Sequence, residues 1–355
     1  MNVGLMFSFR NPPKWKKPWA DVYESQLEQA KLAEDLGYDT VWLTEHHFAE
    51  DGYSPSLMTL AGAVAAKTRR VRIGTFLLLL PLHNAVRVAE DAATVDVISR
   101  GRFDLGIGKG YARHEFVGYG IPHKERASRF EEGIEVIRGI WSQDPFSFHG
   151  KHYNLQDIRL TPKPVQQPYP PLWVGALGPK AVDRAARLGC HFLGVGDTSA
   201  YDEALRRHGR NPSDFNVAQL VWVHLAPSKE QAWDEVQEHV HWMLTVYGQW
   251  LSDAGELEGP PTLFKPPPAS ELRRTTDPLL FTPIVGTAKD VAEGLDQFTR
   301  SARTTHLVLG MHFPGIDPKI VRRSMETFAR ELLPSFKEKR DCHSSILYAR
   351  PSTVP

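Results

Sequence analysis

The chain has 355 residues, and its 42 lysines and arginines balance its 42 aspartates and glutamates. A zero formal charge creates no field that attracts nucleic acid or an anionic membrane, so the expected substrate is a small molecule. The two cysteines, Cys190 and Cys342, lie in no metal-binding spacing, which is typical of a reducing compartment. The apolar run at residues 75–82 is too short to span a bilayer, and the N-terminus lacks the order of a secretory signal, so we expect a cytoplasmic protein.

Apolar segments alternate with segments of helical period along the chain. The pattern predicts strands at residues 2–9, 38–44, 71–80, 102–107, 172–176, 191–195, 217–225 and 305–311. It predicts helices at residues 23–36, 56–67, 85–99, 127–141, 179–188, 201–208, 229–250, 288–301 and 319–333. Repeated β-α units require a parallel sheet with right-handed crossovers, and eight of them predict a single closed (β/α)8 barrel. We expect this domain to span residues 1–340, with a loosely held tail at residues 341–355.

Two insertions interrupt the alternation. Residues 145–170 contain aromatic residues, prolines and a His-Gly-Lys-His turn, a combination that predicts a hairpin followed by a loop. Residues 251–283 are rich in proline and glycine, and a loop of this length in an enzyme is usually a lid or is disordered. Both are consistent with a single barrel that carries insertions, the longer one a loop before the last helix-strand unit.

An ionisable cluster, Glu45-His46-His47, follows the second predicted strand. In an α/β barrel this end of the strands forms the active site. The cluster could bind a metal, transfer protons or serve only as structure. Side chains alternate along a strand, so His46 and His47 should diverge, which argues against one shared metal. Imidazole titrates near neutrality, and we therefore favour proton transfer by His46.

Two further strand exits are suited to an anion. The fourth strand ends in the glycine-rich stretch 106–111, which contains Lys109, Gly110 and Tyr111; its spacing is not that of a dinucleotide fingerprint. The fifth strand ends just before Gly178-Pro179-Lys180, where a helix begins and free backbone N–H groups favour phosphate. Together the two exits indicate a phosphate-containing ligand more strongly than either alone.

Three runs carry a family resemblance: residues 39–48 (DTVWLTEHHF), residues 71–111 and residues 283–298 (PIVGTAKDVAEGLDQF). In order and spacing they resemble the bacterial luciferase-like flavin monooxygenases over residues 2–339. The resemblance implies a (β/α)8 barrel that binds reduced FMN supplied by a separate flavin reductase. It further implies that O2 adds to the flavin, giving a C4a-(hydro)peroxyflavin that oxygenates a small organic substrate.

The resemblance also implies roles for individual residues. His46 matches the family's catalytic histidine, with Glu45 and His47 beside it. Lys109 takes the place of a phosphate-binding arginine, and Gly110 and Tyr111 would offer backbone amides. Phe76-Leu77 matches a non-proline cis peptide that supports the flavin ring. After the fifth strand, Ala176, Leu177, Gly178 and Lys180 stand where the luciferases carry acidic and hydroxyl side chains, so the phosphate would be held by amides and lysine.

Departures from the luciferase pattern, including Gly108 in place of a cysteine, favour an ordinary oxygenase over light emission. Other functions stay open at this point. They are hydride transfer by an F420- or flavin-dependent oxidoreductase, non-catalytic flavin binding, and a metal-dependent hydrolase. Small residues in helices 56–67 and 85–99, together with the way family members pair, predict a homodimer.

Overall fold

A computed structural model describes residues 1–176, 178–194, 198–255, 265–274, 283–300 and 303–341. Its elements in chain order are β1 (Asn2–Phe7), α1 (Trp19–Asp35), β2 (Thr40–Leu43), α2 (Leu57–Lys67), β3 (Arg72–Thr75), β4 (Leu78–Leu79), α3 (Ala85–Ser99), β5 (Phe103–Gly108), α4 (Arg113–Gly118), α5 (Arg126–Ser142), β6 (Phe146–His149), β7 (Asn154–Ile158), β8 (Leu172–Gly175), α6 (Pro179–Arg187), β9 (His191–Gly194), α7 (Ser199–Arg207), β10 (Val217–Leu225), α8 (Lys229–Ala254), β11 (Ile284–Gly286), α9 (Ala288–Arg300), β12 (His306–Gly310), α10 (Pro318–Glu331) and α11 (Leu333–Asp341).

Eight parallel strands close into a barrel. Following the hydrogen bonds, the ring runs β1-β2-β3-β5-β8-β9-β10-β12 and returns to β1. The closing contact pairs Asn2 with His306 and Leu5 with Leu309. The predicted (β/α)8 fold is therefore confirmed, and each of the eight predicted strand regions contributes a strand to the ring. β11 pairs with the end of β10 outside this ring, and the sequence pattern did not predict it.

The predicted strand at residues 71–80 is in fact two short strands. The chain breaks after Thr75, the Phe76–Leu77 peptide is cis as the resemblance implied, and β4 then pairs with β5. An unbroken apolar run carries no sign of such a break, because every residue in it is equally suited to a buried strand. The short helix α4 was also missed, since six residues are too few to show a helical period.

A tryptophan fills the lumen below the barrel mouth. Trp42 meets Trp173 edge-on across the interior, with ring centroids 5.6 Å apart. Gly4 and Gly74 provide the space, because a Cβ on either would lie 2.7 Å and 2.3 Å from Trp42 atoms. The barrel interior is therefore packed at this level, as is usual in this fold, where ligands bind at the rim.

The predicted hairpin in the first insertion is confirmed as the antiparallel pair β6–β7. In the second insertion, α8 continues to Ala254 and a short 3-10 helix covers Ala269–Arg274. Residues 256–264 and 275–282 of the predicted lid lie outside the described residues, as does the predicted tail from residue 342 onward. Across the described ranges, no helix is both long and apolar enough to cross a bilayer.

The small residues of α2 and α3 pack inside the subunit rather than on its surface. Ala61, Ala65, Ala89, Ala92 and Ala93 are at most 1% exposed. Their size allows the two helices to pack closely against each other, so they are not evidence for pairing between subunits. The exposed residues of α3 include the polar Arg87, Glu90 and Thr94 and two apolar residues, Val97 (38% exposed) and Ile98 (47% exposed).

Candidate functional site at the barrel mouth

The Glu45-His46-His47 cluster lies directly after β2, at the rim where the parallel strands end. The loop that carries it is folded back on itself, because the His46 N–H donates to the Tyr53 carbonyl over 3.0 Å. Phe48, Tyr53 and Ser54 all have positive φ, between 38° and 56°. Such conformations persist in non-glycine residues when the surroundings enforce them, which is common at functional sites.

His46 is held by a buried carboxylate. Its Nδ1 lies 2.9 Å from Oε1 of Glu115, and the same oxygen accepts the His47 backbone N–H over 2.8 Å. Glu115 is on α4 and is fully buried. Its second oxygen, Oε2, has no hydrogen-bond partner within the described part of the chain. This arrangement fixes the imidazole and directs Nε2 away from the carboxylate.

Four aromatic side chains surround His46. Ring centroids of Trp250 and Tyr53 lie 4.6 Å and 4.7 Å away, and those of Tyr111 and Tyr247 lie 5.8 Å and 6.2 Å away. Trp250 and Tyr247 belong to the C-terminal half of α8, which therefore covers the mouth. These four residues, here called the aromatic cage, keep His46 at only 7% exposure.

His47 turns in the other direction, as strand alternation predicted. Oε1 of Glu45 lies 3.0 Å from Nε2 of His47 and 2.8 Å from Nε2 of His83, while Oε2 accepts the Leu79 N–H over 2.6 Å. The Tyr119 hydroxyl lies 3.1 Å from His47 Nδ1. This network ties the loops after β2 and β4 together.

The network has unusual electrostatics. Burial opposes ionisation of Glu45, but hydrogen bonds from His47 and His83 lower its pKa to about 2. Burial acts against protonation of His83, yet its hydrogen bond to Glu45 raises its pKa above 6.5. The three ligand atoms lie within 4.8 Å of one another, so the group could hold a metal ion. Its geometry is equally that of two imidazole N–H groups donating to one carboxylate oxygen.

The two predicted phosphate exits lie side by side. β5 and β8 are neighbours, with Gly106 opposite Trp173, so Lys109-Gly110-Tyr111 and Ala176 emerge at adjacent positions on the rim. Leu77, from the cis peptide, packs between the two strand ends: a Cβ on Gly108 or Gly175 would lie 2.5 Å from its methyl groups. The missing side chains at both glycines therefore admit Leu77.

A group of basic residues accompanies the first exit. Burial and the charges of Arg126, Arg113 and Lys109 lower the pKa of His123, so these four groups share one positive region. Arg126 Nη1 donates to His123 Nδ1 over 3.0 Å. His123 Nε2 and Arg126 Nε are buried and have no partner in the described ranges. We call these four residues the basic cluster.

The second exit contributes less side-chain chemistry. Gly178 has φ of 79° and precedes Pro179, the first residue of α6. Lys180 is exposed, Ala176 is buried, and Leu177 lies outside the described residues. Phe76, the other half of the cis peptide, packs edge-on against Trp42 at 6.1 Å. It therefore lies above the tryptophan that fills the lumen.

Comparison with known proteins is consistent with this geometry. The family pattern described as luciferase-like monooxygenase matches residues 1–305. The chain belongs to the luciferase-like monooxygenase family. The chain spans about half the length of the first curated relatives that it matches.

Relatives that align with most of the chain are named for different reactions. The oxygenase component of a flavin-dependent trigonelline monooxygenase from Acinetobacter baylyi is 25% identical over 90% of this chain and 91% of its own. An F420-dependent glucose-6-phosphate dehydrogenase from Microbacterium testaceum is 29% identical over 67% of this chain and 73% of its own. The crystal structure of monooxygenase RslO1 from Streptomyces bottropensis superimposes with a TM-score of 0.82 at 25% identity, covering 95% of this chain and all of that one.

Three site residues of this luciferase-like chain were not found from its sequence. Glu115 pairs with a histidine 69 residues away, and no motif links the two. Tyr247 and Trp250 are at the end of a helix whose register toward the mouth depends on tertiary packing. The only sequence signal for Glu115 was its position shortly after the glycine-rich stretch that follows β5, because a residue there can lie near the rim of the barrel.

Proposed function

We propose that the chain is the oxygenase component of a two-component monooxygenase that uses reduced FMN and O2 on a small organic substrate. The observation that carries the proposal is the buried His46–Glu115 pair inside the aromatic cage at the barrel mouth. An imidazole fixed by a carboxylate is suited to holding or moving a proton, and the cage excludes water from it. No residue assignment here depends on a metal.

The residues present fit the phosphate of FMN. The basic cluster offers positive charge, and two of its buried nitrogens have no partner in the described ranges. Lys109, Gly110 and Tyr111 would hold the phosphate from the first exit, with Gly178 and Lys180 at the second. Phe76 and Leu77 would support the ring. When bound and reduced, the flavin supplies the electrons that activate O2.

Within this proposal His46 is the catalytic residue and Glu115 its positioning residue. Glu115 orients Nδ1, so that Nε2 can donate or accept a proton at the substrate side. Glu45 and His47 position the site indirectly, because their hydrogen-bond network with His83 fixes the loop on which His46 lies. Tyr247 and Trp250 close the cage over the reacting groups.

Oxygen labelling tests the proposal. The protein, reduced FMN and 18O2 are incubated with a panel of small organic acids, aldehydes and ketones, and products are analysed by mass spectrometry. One labelled oxygen atom per product molecule is expected, and His46→Ala should remove most product while FMN affinity stays the same. Turnover that is unchanged in this variant would remove His46 from the proposed role.

The basic cluster has its own test. Lys109→Ala should weaken FMN binding by about tenfold or more, because it removes a charge-assisted contact to phosphate. Riboflavin has the same ring without the phosphate and serves as the matched ligand, for which affinity should not change. Equal losses for both ligands would place Lys109 near the ring and contradict the assignment.

A second candidate is hydride transfer with F420, because an F420-dependent dehydrogenase is among the relatives of this chain. The two functions are separated by anaerobic turnover. If reduced or oxidised F420 supports substrate conversion without O2, and reduced FMN with O2 does not, the second candidate replaces the first.

The proposal includes a separate flavin reductase and a homodimer. The trigonelline relative is an oxygenase component, which supports a separate reductase. For the second, the exposed apolar pair Val97 and Ile98 on α3 supplies a surface that a partner subunit could cover.

A further inference from the structure

Arg10 is a buried cation at the barrel mouth that the function proposed above does not use. It follows β1 and is 4% exposed. Its Nε donates to Oδ2 of Asp51 over 2.6 Å, and Trp242 on α8 donates to the same oxygen over 3.4 Å. The loops after β1 and β2 and the helix that covers the mouth therefore meet at this ion pair.

The outer edge of the guanidinium is unsatisfied. Nη1 and Nη2 are buried and have no hydrogen-bond partner among the residues the structure describes. The guanidinium carbon lies instead 4.6 Å from the centroid of the Tyr53 ring and 5.5 Å from that of Tyr247. Aromatic rings compensate a cation in part, but they accept no hydrogen bonds in the plane of the guanidinium. Buried hydrogen-bond donors without acceptors are rare and destabilising, so we expect a ligand to supply an acceptor at this edge of the guanidinium.

Arg10 shares its aromatic neighbours with His46. The Tyr53 ring that lies beside Arg10 is 4.7 Å from the His46 ring, and Tyr247 contacts both. A group bound at the guanidinium edge would therefore extend into the aromatic cage, toward the imidazole.

Resting on the function proposed above, we propose that Arg10 binds the carboxylate of the substrate, and that the substrate is an aromatic monocarboxylic acid. Two parallel N–H groups on one guanidinium edge match the two oxygens of a carboxylate. The walls formed by Tyr53, Tyr111, Tyr247 and Trp250 suit a flat apolar body.

The local charge favours a monoanion. Asp51 already compensates Arg10, so a dianionic phosphate would leave two uncompensated negative charges in a buried site. The tyrosines add a donor: burial raises the pKa of the hydroxyls of Tyr53 and Tyr247, so both stay protonated at neutral pH. The two hydroxyls are hydrogen bonded to each other, and the one that accepts has a proton left for a carboxylate.

Access to the edge requires a small movement. Nη1 and Nη2 are buried, and the Tyr247 ring on α8 lies 5.5 Å from the guanidinium carbon, so the proposal requires side chains such as Tyr247 to move when a ligand enters. The ion pair with Asp51 can stay in place, since it uses Nε and leaves Nη1 and Nη2 for the ligand.

Ligand binding at equilibrium tests the proposal. The probes are benzoate, 1-naphthoate and indole-3-carboxylate, each paired with its neutral amide, and affinities are measured by calorimetry on the full chain without flavin. At least one acid should bind about 10- to 100-fold more tightly than its amide, because a charge-assisted pair is lost in the amide.

Variants of the ion pair isolate the role of Arg10. Asp51→Asn should tighten binding of the acid, since it removes the competing charge. Arg10→Gln alone leaves Asp51 buried without its partner and can unfold the chain. The double variant Arg10→Gln/Asp51→Asn keeps a neutral pair, and in it the acid should bind no better than the amide.

The outcomes are distinct from those of the oxygenase test. No saturable binding of any of the three acids would overturn the proposal, and so would a preference for the acid that survives in the double variant. Either result would leave the His46 and 18O2 measurements untouched, because flavin and oxygen take no part in the binding assay. Conversely, loss of the oxygenase function would leave an Arg10-dependent acid site that needs another reaction.

Discussion

Replacing Glu115 by glutamine tests whether the buried carboxylate stabilises a positive charge on His46. The substitution keeps the shape of the side chain, and an amide oxygen can still accept the His47 N–H, now 2.8 Å away. What it removes is the negative charge 2.9 Å from His46 Nδ1. If the reaction passes through a protonated His46, the variant loses that electrostatic interaction.

The magnitude follows from the distance and the burial. Two charge centres roughly 4 Å apart interact by about 4 kcal/mol at an effective dielectric constant of ~20. A neutral hydrogen bond to the amide retains about 1 kcal/mol. The net loss of about 3 kcal/mol corresponds to a decrease in kcat of about 100-fold.

Two assays check the prediction. The first compares kcat of the wild type and Glu115→Gln with a substrate found by oxygen labelling. The second compares the midpoints of urea denaturation, which should be similar in the two proteins, and needs no substrate. Tyr119→Phe is the matched control, because its hydroxyl lies 3.1 Å from His47 and makes no contact with His46. If Glu115→Gln leaves kcat as in the wild type, the carboxylate has no electrostatic role in the reaction.

Three further outcomes are expected. Gly106→Ala should destabilise the fold by about 3 kcal/mol in urea denaturation, because its Cβ would lie 1.9 Å from the Thr75 carbonyl oxygen; an unchanged midpoint would contradict the tight strand contact. Because the pKa of Glu45 is lowered to about 2 in the folded state, its ionised form contributes about 3 kcal/mol to the free energy of unfolding above pH 4.5, and this contribution is lost as the pH falls toward 2. The difference in unfolding free energy between wild type and Glu45→Gln should therefore narrow from pH 4.5 to pH 2, and a constant difference would refute the reasoning. Val97→Asp should convert a dimer into a monomer in sedimentation analysis, while Val117→Asp, at the 79% exposed valine of α4, should not; identical behaviour of both variants would exclude α3 as the interface.

The fold was largely predictable because each β-α unit carries its own local signals. A strand such as β10 and a helix such as α3 were predicted with their observed bounds, since apolar period and capping residues lie within the element itself. The strand predicted at residues 71–80 did not have the observed bounds, because its break at Phe76–Leu77 depends on contacts with the neighbouring strands β2 and β5.

The site residues were predictable only where a local sequence pattern indicates them. His46 and Lys109 follow strands, so topology alone brings them to the rim. Glu115, Tyr247 and Arg10 depend on contacts between distant segments; Tyr247 lies 194 residues from its partner Tyr53. Composition gives no information about which of many tyrosines or glutamates will meet a given histidine.

The two adjacent histidines show how one short sequence can serve two purposes. At the end of β2 the backbone turns His46 toward the aromatic cage and His47 toward Glu45, so consecutive residues enter separate networks. The Glu45 network is densely hydrogen bonded and links the loops after β2 and β4, whereas the cage around His46 is mostly apolar and leaves Nε2 directed at the mouth. The Glu45 network holds the loop rigidly, and the His46 imidazole is thereby positioned while its Nε2 stays available for the reaction. Disturbing Glu45 should therefore reduce stability and activity together, while disturbing Glu115 should reduce activity with the fold intact.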